Sequence, residues 1–160
     1  VSLSGADIPL LLADQVDAVL HYTEMSPVQV ELNPQAPGEA GSKTFELKLA
    51  EYGVGGYGLN VIANPDAWKN ERTGMTALRD AILRGYKDGC ANRDDAVKAF
   101  VAEFPDKDAN YVKQSWDRVC ALVGANPGQQ NAQGWDETIK IYHDLGLLTT
   151  NVTAADIMGQ

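Results

Sequence analysis

Tyr22-Thr23-Glu24 sets an aromatic ring, a hydroxyl and a carboxylate side by side. Such a trio can stack on a small polar ligand and hydrogen-bond to it. The run before it, Val16-Asp17-Ala18-Val19-Leu20-His21-Tyr22, is rich in β-formers without strict alternation, as in a strand covered on both faces. In open α/β sheets ligands bind beyond the carboxyl ends of strands, and the trio would fall there. A second reading stays equally open, in which Glu24 simply favours the N-terminus of the next helix.

Other groups invite chemistry by their letters. Gly53-Val54-Gly55-Gly56-Tyr57-Gly58 spells G-x-G-x-x-G. The dinucleotide fingerprint needs those glycines between a strand and a helix. Here residues 59–63 read as a strand, so the segment is expected to be a flexible crossing or hinge between strands. His21 and His143 are the only histidines and stand far apart, without the spaced ligands of a metal site or a base–nucleophile pair. Both read as structural. No serine sits in a G-x-S-x-G elbow, so nothing requires catalysis, a metal or a cofactor. Cys90 and Cys120 fall on the apolar stripes of two helices. A disulfide is geometrically possible if those helices run parallel, and two buried free thiols are the alternative. Asn151-Val152-Thr153 has glycosylation letters that matter only in a eukaryotic secretory setting.

The elements that must position these groups follow from patterning. Residues 8–13 form a short helix behind Asp7, with Pro9 in its first turn. Ser26 before Pro27 starts a helix through about Leu32. Residues 33–42 hold two prolines and two glycines and read as a surface loop. Residues 45–49 alternate as a half-exposed strand, and residues 59–63 form another, ended by Asn64-Pro65. Helix then dominates. Leu78, Ala81, Ile82, Gly85 and Tyr86 mark one apolar stripe; Val97, Phe100, Val101 and Phe104 mark another, stopped by Pro105. Val112, Trp116, Val119, Cys120 and Val123 mark a third, capped by Asp108 and ended near Gly124. Trp135, Ile139 and Tyr142 mark a fourth, ended by Gly146, and Thr153 caps a last turn. A parallel sheet needs several β-strand-plus-helix units to cover both faces, and only one or two are present. The chain therefore reads as an incomplete α/β protein, lacking elements on its N-terminal side.

Composition narrows the class of partner. The 160 residues carry 13 Lys plus Arg against 22 Asp plus Glu, a net charge of −9. Phosphate binding needs clustered cations, and no basic run exists, so nucleic acid is excluded as a partner. At 44% apolar and 22% charged the chain is of globular type. It begins at Val1 and shows no basic-then-apolar leader, so it is expected to be a processed product or a piece of a longer protein.

Several segments, taken in order, resemble one family. Leu11-Leu12-Ala13-Asp14-Gln15-Val16-Asp17-Ala18-Val19 resembles the L-L-x-G-Q-V-D-A segment of type II periplasmic substrate-binding proteins. The branch is that of ABC importers for nitrate, sulfonates, taurine and thiamine-pyrimidine precursors. Tyr22-Thr23-Glu24-Met25-Ser26-Pro27-Val28 is similar to the stretch that follows, and Leu49-Ala50-Glu51-Tyr52-Gly53-Val54 to L-x-D-Y-G-V. Residues 59–65 resemble the next strand and its V-A-N-x-D turn. Residues 135–147 resemble W-x-x-T-I-x-x-L-x-x-L-G-L, and residues 152–157 the V-x-x-x-D-I tail. Asp14 stands where the family has glycine, and Thr23 where it often has asparagine.

The resemblance implies a partial type II periplasmic-binding-protein-like fold, with short strands of a mostly parallel sheet and a helical C-terminal half. Residues 1–44 would belong to the second lobe, 45–63 to the crossing, and 64–160 to helices packing on the first lobe, the N-terminal half of the fold being absent. It implies a bacterial periplasmic or other extracytoplasmic protein, its signal peptide removed, which captures a small polar or nitrogen-containing solute. The solute is handed to the transmembrane permease of an ABC importer. Tyr22, Thr23 and Glu24 become cleft residues, with Gly56 and Tyr57 of the crossing as further ligand-binding candidates. Glu24 matches the family's acidic position and would accept hydrogen bonds from an amine or ring N–H. No cofactor is implied. Two alternatives remain: an enzyme resembling the pyrimidine synthase of thiamine biosynthesis, and a regulatory domain that dimerises through its open sheet edge.

Overall fold

The computed structural model of the protein describes residues 7–32, 45–57 and 60–158. Its elements run α1 (Asp7–Leu12), α2 (Ser26–Leu32), a 3-10 turn (Leu49–Tyr52), α3 (Pro65–Asn70) and α4 (Arg72–Ala91). α5 (Arg93–Glu103), α6 (Ala109–Val123), α7 (Ala132–Asp144) and α8 (Ala154–Ile157) complete the order. The helix starts have visible causes. Asn64 Oδ1 accepts the Asp66 and Ala67 N–H groups at 2.8 and 3.3 Å, with Pro65 in the first position of α3. Asp108 Oδ1 accepts Tyr111 N–H at 2.8 Å ahead of α6, and Asn131 Oδ1 accepts Gly134 N–H at 2.8 Å ahead of α7. At α8 the Asp156 carboxylate takes both the hydroxyl and the N–H of Thr153, which hold its pKa below the usual carboxylate value.

Two helix ends share one geometry. After α7, Gly146 has φ 67°, its N–H reaches His143 O, and Leu147 N–H reaches Tyr142 O. After α1, Asp14 has φ 56°, its N–H reaches Leu11 O, and Gln15 N–H reaches Leu10 O. This is the paired-bond helix stop that ordinarily takes glycine. Asp14 is also the position at which the family motif has glycine. Aspartate therefore performs a glycine's task there.

Of the segments expected as strands, residues 16–22, 45–48 and 60–63 are described, as is Leu49. Residues 16–22, 45–48 and 60–63 run without ladder hydrogen bonds, Leu49 opens the 3-10 turn instead, and no strand occurs among the described residues. The physical reason is that a strand exists only where a neighbouring backbone takes its N–H and C=O groups. Phe45 and Ile62 accordingly lie 84% and 89% exposed. The loop 33–42, Leu59 of the expected strand and Gly58 of the glycine pattern fall outside the described residues.

The chain divides into two compact units. One comprises the described residues of Val1–Glu46 together with Tyr86–Ala125. In it α2 packs on α1 and α6, and α5 packs on α6. Its buried apolar residues are Ile8, Val28, Val30 and Cys120, with Val28 fully enclosed. The end of α4 is fastened to α6 by a disulfide between Cys90 and Cys120, whose Cα atoms lie 5.5 Å apart. One turn back on each helix, Trp116 stacks on Tyr86 at 5.9 Å and donates its indole N–H to Gly89 O at 3.0 Å. A Cβ at Gly89 would meet the Trp116 ring at 2.8 Å. Glycine is what lets the indole lie against the helix backbone. The other unit comprises Leu47–Gly85 with the described residues of Asn126–Gln160, and in it α8 packs on α7.

Two outcomes follow for stability. Asp14→Gly removes a left-handed strain of about 1–2 kcal/mol and adds about 0.5–1 kcal/mol of unfolded-state entropy. A net gain of about 0.5–1 kcal/mol is expected in urea unfolding; a loss would contradict the reading of the α1 stop. The Cys90–Cys120 bond closes a loop with a sequence separation of 30. Loop-closure entropy assigns it about 3–4 kcal/mol, so Cys90→Ala with Cys120→Ala should lower the unfolding free energy by that amount; an unchanged midpoint would contradict it.

Candidate functional site

The 22–24 loop is a tight turn that feeds directly into α2. Tyr22 O accepts the Met25 and Ser26 N–H groups at 3.1 and 3.3 Å, and Tyr22 N–H donates to His21 Nδ1 at 3.0 Å. Ser26, the first residue of α2, is 3% exposed, so the turn is anchored at its C-terminal side by burial. Tyr22 is 48% exposed, while Thr23 and Glu24 are half-buried. The Glu24 carboxylate makes no hydrogen bond or ion pair among the described residues, and takes none of the free N–H groups of α2. Glu24 is thus no hydrogen-bonding cap of α2 among the described residues, although its charge lies beside the start of that helix.

What holds this turn comes from α6. Arg118 Nη1 donates to Thr23 O at 2.8 Å and to Glu46 Oε1 at 2.8 Å, and Nη2 donates to Glu31 Oε1 at 2.9 Å. The three acceptors come from the turn, from α2 and from the segment that enters the 3-10 turn. Glu46 first, and Glu31 with it, raise the Arg118 pKa further above its already high value, so the cation persists at every working pH. The Thr23 contact is to the backbone carbonyl, so Arg118 does not occupy the Thr23 or Glu24 side chain.

Gly56 and Tyr57 belong to the other unit, where residues 55–57 lie along α7. Tyr57 Oη accepts Asn131 N–H at 2.8 Å, and its ring sits 5.0 Å from that of Trp135. A Cβ on Gly134 would lie 3.1 Å from the Tyr57 ring. Tyr57 thus braces the first turn of α7. Gly56 has φ 137°, and a Cβ there would come within 2.6 Å of Thr138 Oγ1, itself bonded to Gly134 O at 2.8 Å. Residues 55–57 of the glycine pattern pack along a helix flank, and no helix begins among the described residues of that pattern.

The charged groups beside the disulfide neutralise one another. Arg93 pairs with Asp117 at 2.9 Å, Lys113 with Asp94 at 2.8 Å, and Lys98 with Asp95 at 3.2 Å. Lys113 holds the Asp94 carboxyl below the usual range, and Asp94 raises Lys113 in return. With every cation engaged, this open depression offers no anion site. Among the described residues no group of His, Cys, Asp and Glu is placed to hold a metal, and no helix is long and apolar enough to cross a membrane.

Residues 1–96 match the family model described as NMT1/THI5 like. The chain belongs to that family, whose members are mostly solute-binding proteins, among them substrate-binding proteins of ABC importers; its THI5 members are enzyme-like. No curated protein and no solved structure matches the chain. The matched residues include Tyr22, Thr23, Glu24, Gly56, Tyr57 and Cys90; Arg118 and Cys120 lie beyond them.

Gly56→Ala combines a backbone conformation costing about 1–3 kcal/mol with a clash. Unfolding free energy should fall by at least about 2 kcal/mol, and adding Thr138→Ala should restore only the part due to the clash. A neutral Gly56→Ala would contradict the seating of this segment on α7.

Proposed function

We propose that the protein is the solute-binding component of an ABC-type import system, working in the periplasm or an equivalent extracytoplasmic space of a bacterium. The observation that carries this reading is Glu24: a half-buried carboxylate without a partner among the described residues, on a turn held by its backbone, inside the matched family region. Tyr22 supplies a half-exposed ring beside it and Thr23 a hydroxyl. Together they suit a small polar or nitrogen-containing solute whose amine or ring N–H donates to the carboxylate while a planar part stacks on the tyrosine.

On this reading the fold is completed as two lobes around a mostly parallel sheet, and residues 45–63 form the crossing between them. Solute bridging the lobes favours the closed form, which the transmembrane permease recognises. The disulfide supports the compartment, since such bonds persist where the surroundings are oxidising. The proposed role is non-catalytic: both cysteines are consumed in that bond and no thiolate is free for nucleophilic chemistry.

The test is binding by the wild-type chain and by Glu24→Ala to pyrimidines, polyamines, sulfonates, nitrate and aromatic acids, followed by calorimetry. The expected result is binding of a nitrogen-bearing member, weakened at least several-fold by Glu24→Ala. Equal affinity in the two proteins would overturn the role of Glu24.

A further inference from the structure

We infer that Arg118 is the positioning residue of the 22–24 loop: its guanidinium fixes the Thr23 backbone, so that Tyr22, Thr23 and Glu24 stand ready before any solute arrives. The inference rests on the solute-binding reading for its purpose, but its geometry stands apart from it. The sequence separations bridged are 95 residues to Thr23, 87 to Glu31 and 72 to Glu46, and one planar group spans all three. No other side chain among the described residues hydrogen-bonds the Thr23 carbonyl. Arg118 also lies outside the family-matched region, so family membership does not assign it.

The chemistry favours arginine specifically. The Arg118 side chain is 31% exposed and Glu46 25%, so these contacts are partly shielded from water. Charge-assisted bonds in such surroundings are the stronger kind. A guanidinium fork can meet a carbonyl and two carboxylates from fixed directions, whereas an ammonium is a single point on a flexible stem. Lysine can keep an ion pair with Glu46 or Glu31. It cannot also hold the Thr23 carbonyl in the same geometry. The carboxylates orient the fork, and the backbone bond transmits that orientation to the loop without occupying its side chains.

Amide hydrogen exchange on the solute-free chain separates positioning from general stability. In Arg118→Lys the Met25 and Ser26 amides should exchange at least ten-fold faster, while amides in the last turns of α6 keep wild-type protection. Arg118→Met should show the same local effect, larger. Unchanged exchange at Met25 and Ser26 in both variants, or equal acceleration throughout α6, would overturn the inference. A second arm uses 4-aminopyrimidine as probe, with affinity expected to fall three- to ten-fold in Arg118→Lys. Absence of probe binding to wild type counts against the solute class alone, because the exchange arm decides the role of Arg118 by itself.

Discussion

One guanidinium ties the candidate binding turn to α2 and to the segment that enters the 3-10 turn. Arg118 bonds the Thr23 carbonyl and the carboxylates of Glu31 and Glu46, one acceptor within the candidate binding turn and two beyond it in the chain. An exposed ion pair is worth about 0–1 kcal/mol, whereas hydrogen bonds to charged groups reach about 1.5–3 kcal/mol. The bond to Thr23 belongs to the second kind. It also acts on backbone, which a turn of three residues cannot stiffen by packing alone, since Tyr22 stands half exposed.

Such a clamp is only as firm as the helix that carries it. α6 is fastened to α4 by the Cys90–Cys120 disulfide, two positions beyond Arg118, and by the Trp116 indole bonded to Gly89, two positions before it. α6 also packs on α2 and α5. Among the described residues the buried apolar set of this unit is small, with Ile8, Val28, Val30 and Cys120 at its centre. A small core buries little area, so covalent and polar fastenings carry a larger share of the order than they would in a large domain. The ion pairs around Arg93, Asp94 and Lys113 add little by comparison, being exposed.

The helical part of this arrangement was legible because helices declare themselves locally. The stripe from Val112 to Val123, the Asp108 cap and Gly124 delimit α6 as found, and Thr153 marks α8 in the same way. Residues 16–22 and 59–63 were read as strands from their β-formers, but strand pairing depends on a neighbouring backbone that patterning cannot supply. Asp14 was visible as a departure from the motif that the segment resembles, whereas its positive φ carried no local sign. Tyr57 was singled out as an aromatic beside glycines. Its hydroxyl contact to Asn131, 74 positions away, carried no local sign. Arg118 was missed outright. It falls between the apolar positions of α6, where an arginine ordinarily faces water, and its partners are 72 to 95 residues distant. No local feature of the sequence ties one arginine to that turn.

Membership of the NMT1/THI5-like family supplies the class, and Glu24, without a partner among the described residues, supplies the proposed point of contact with a solute. Both depend physically on a turn that is ordered in advance, because a loop frozen only on binding would subtract its ordering entropy from affinity. The most direct measurement is nuclear magnetic resonance of the arginine side chains in the solute-free wild-type chain. The account predicts separate, slowly exchanging Nη–H signals for Arg118, with scalar coupling across the hydrogen bond to the Thr23 carbonyl carbon. A single averaged signal, like that of a freely rotating surface arginine, would contradict it.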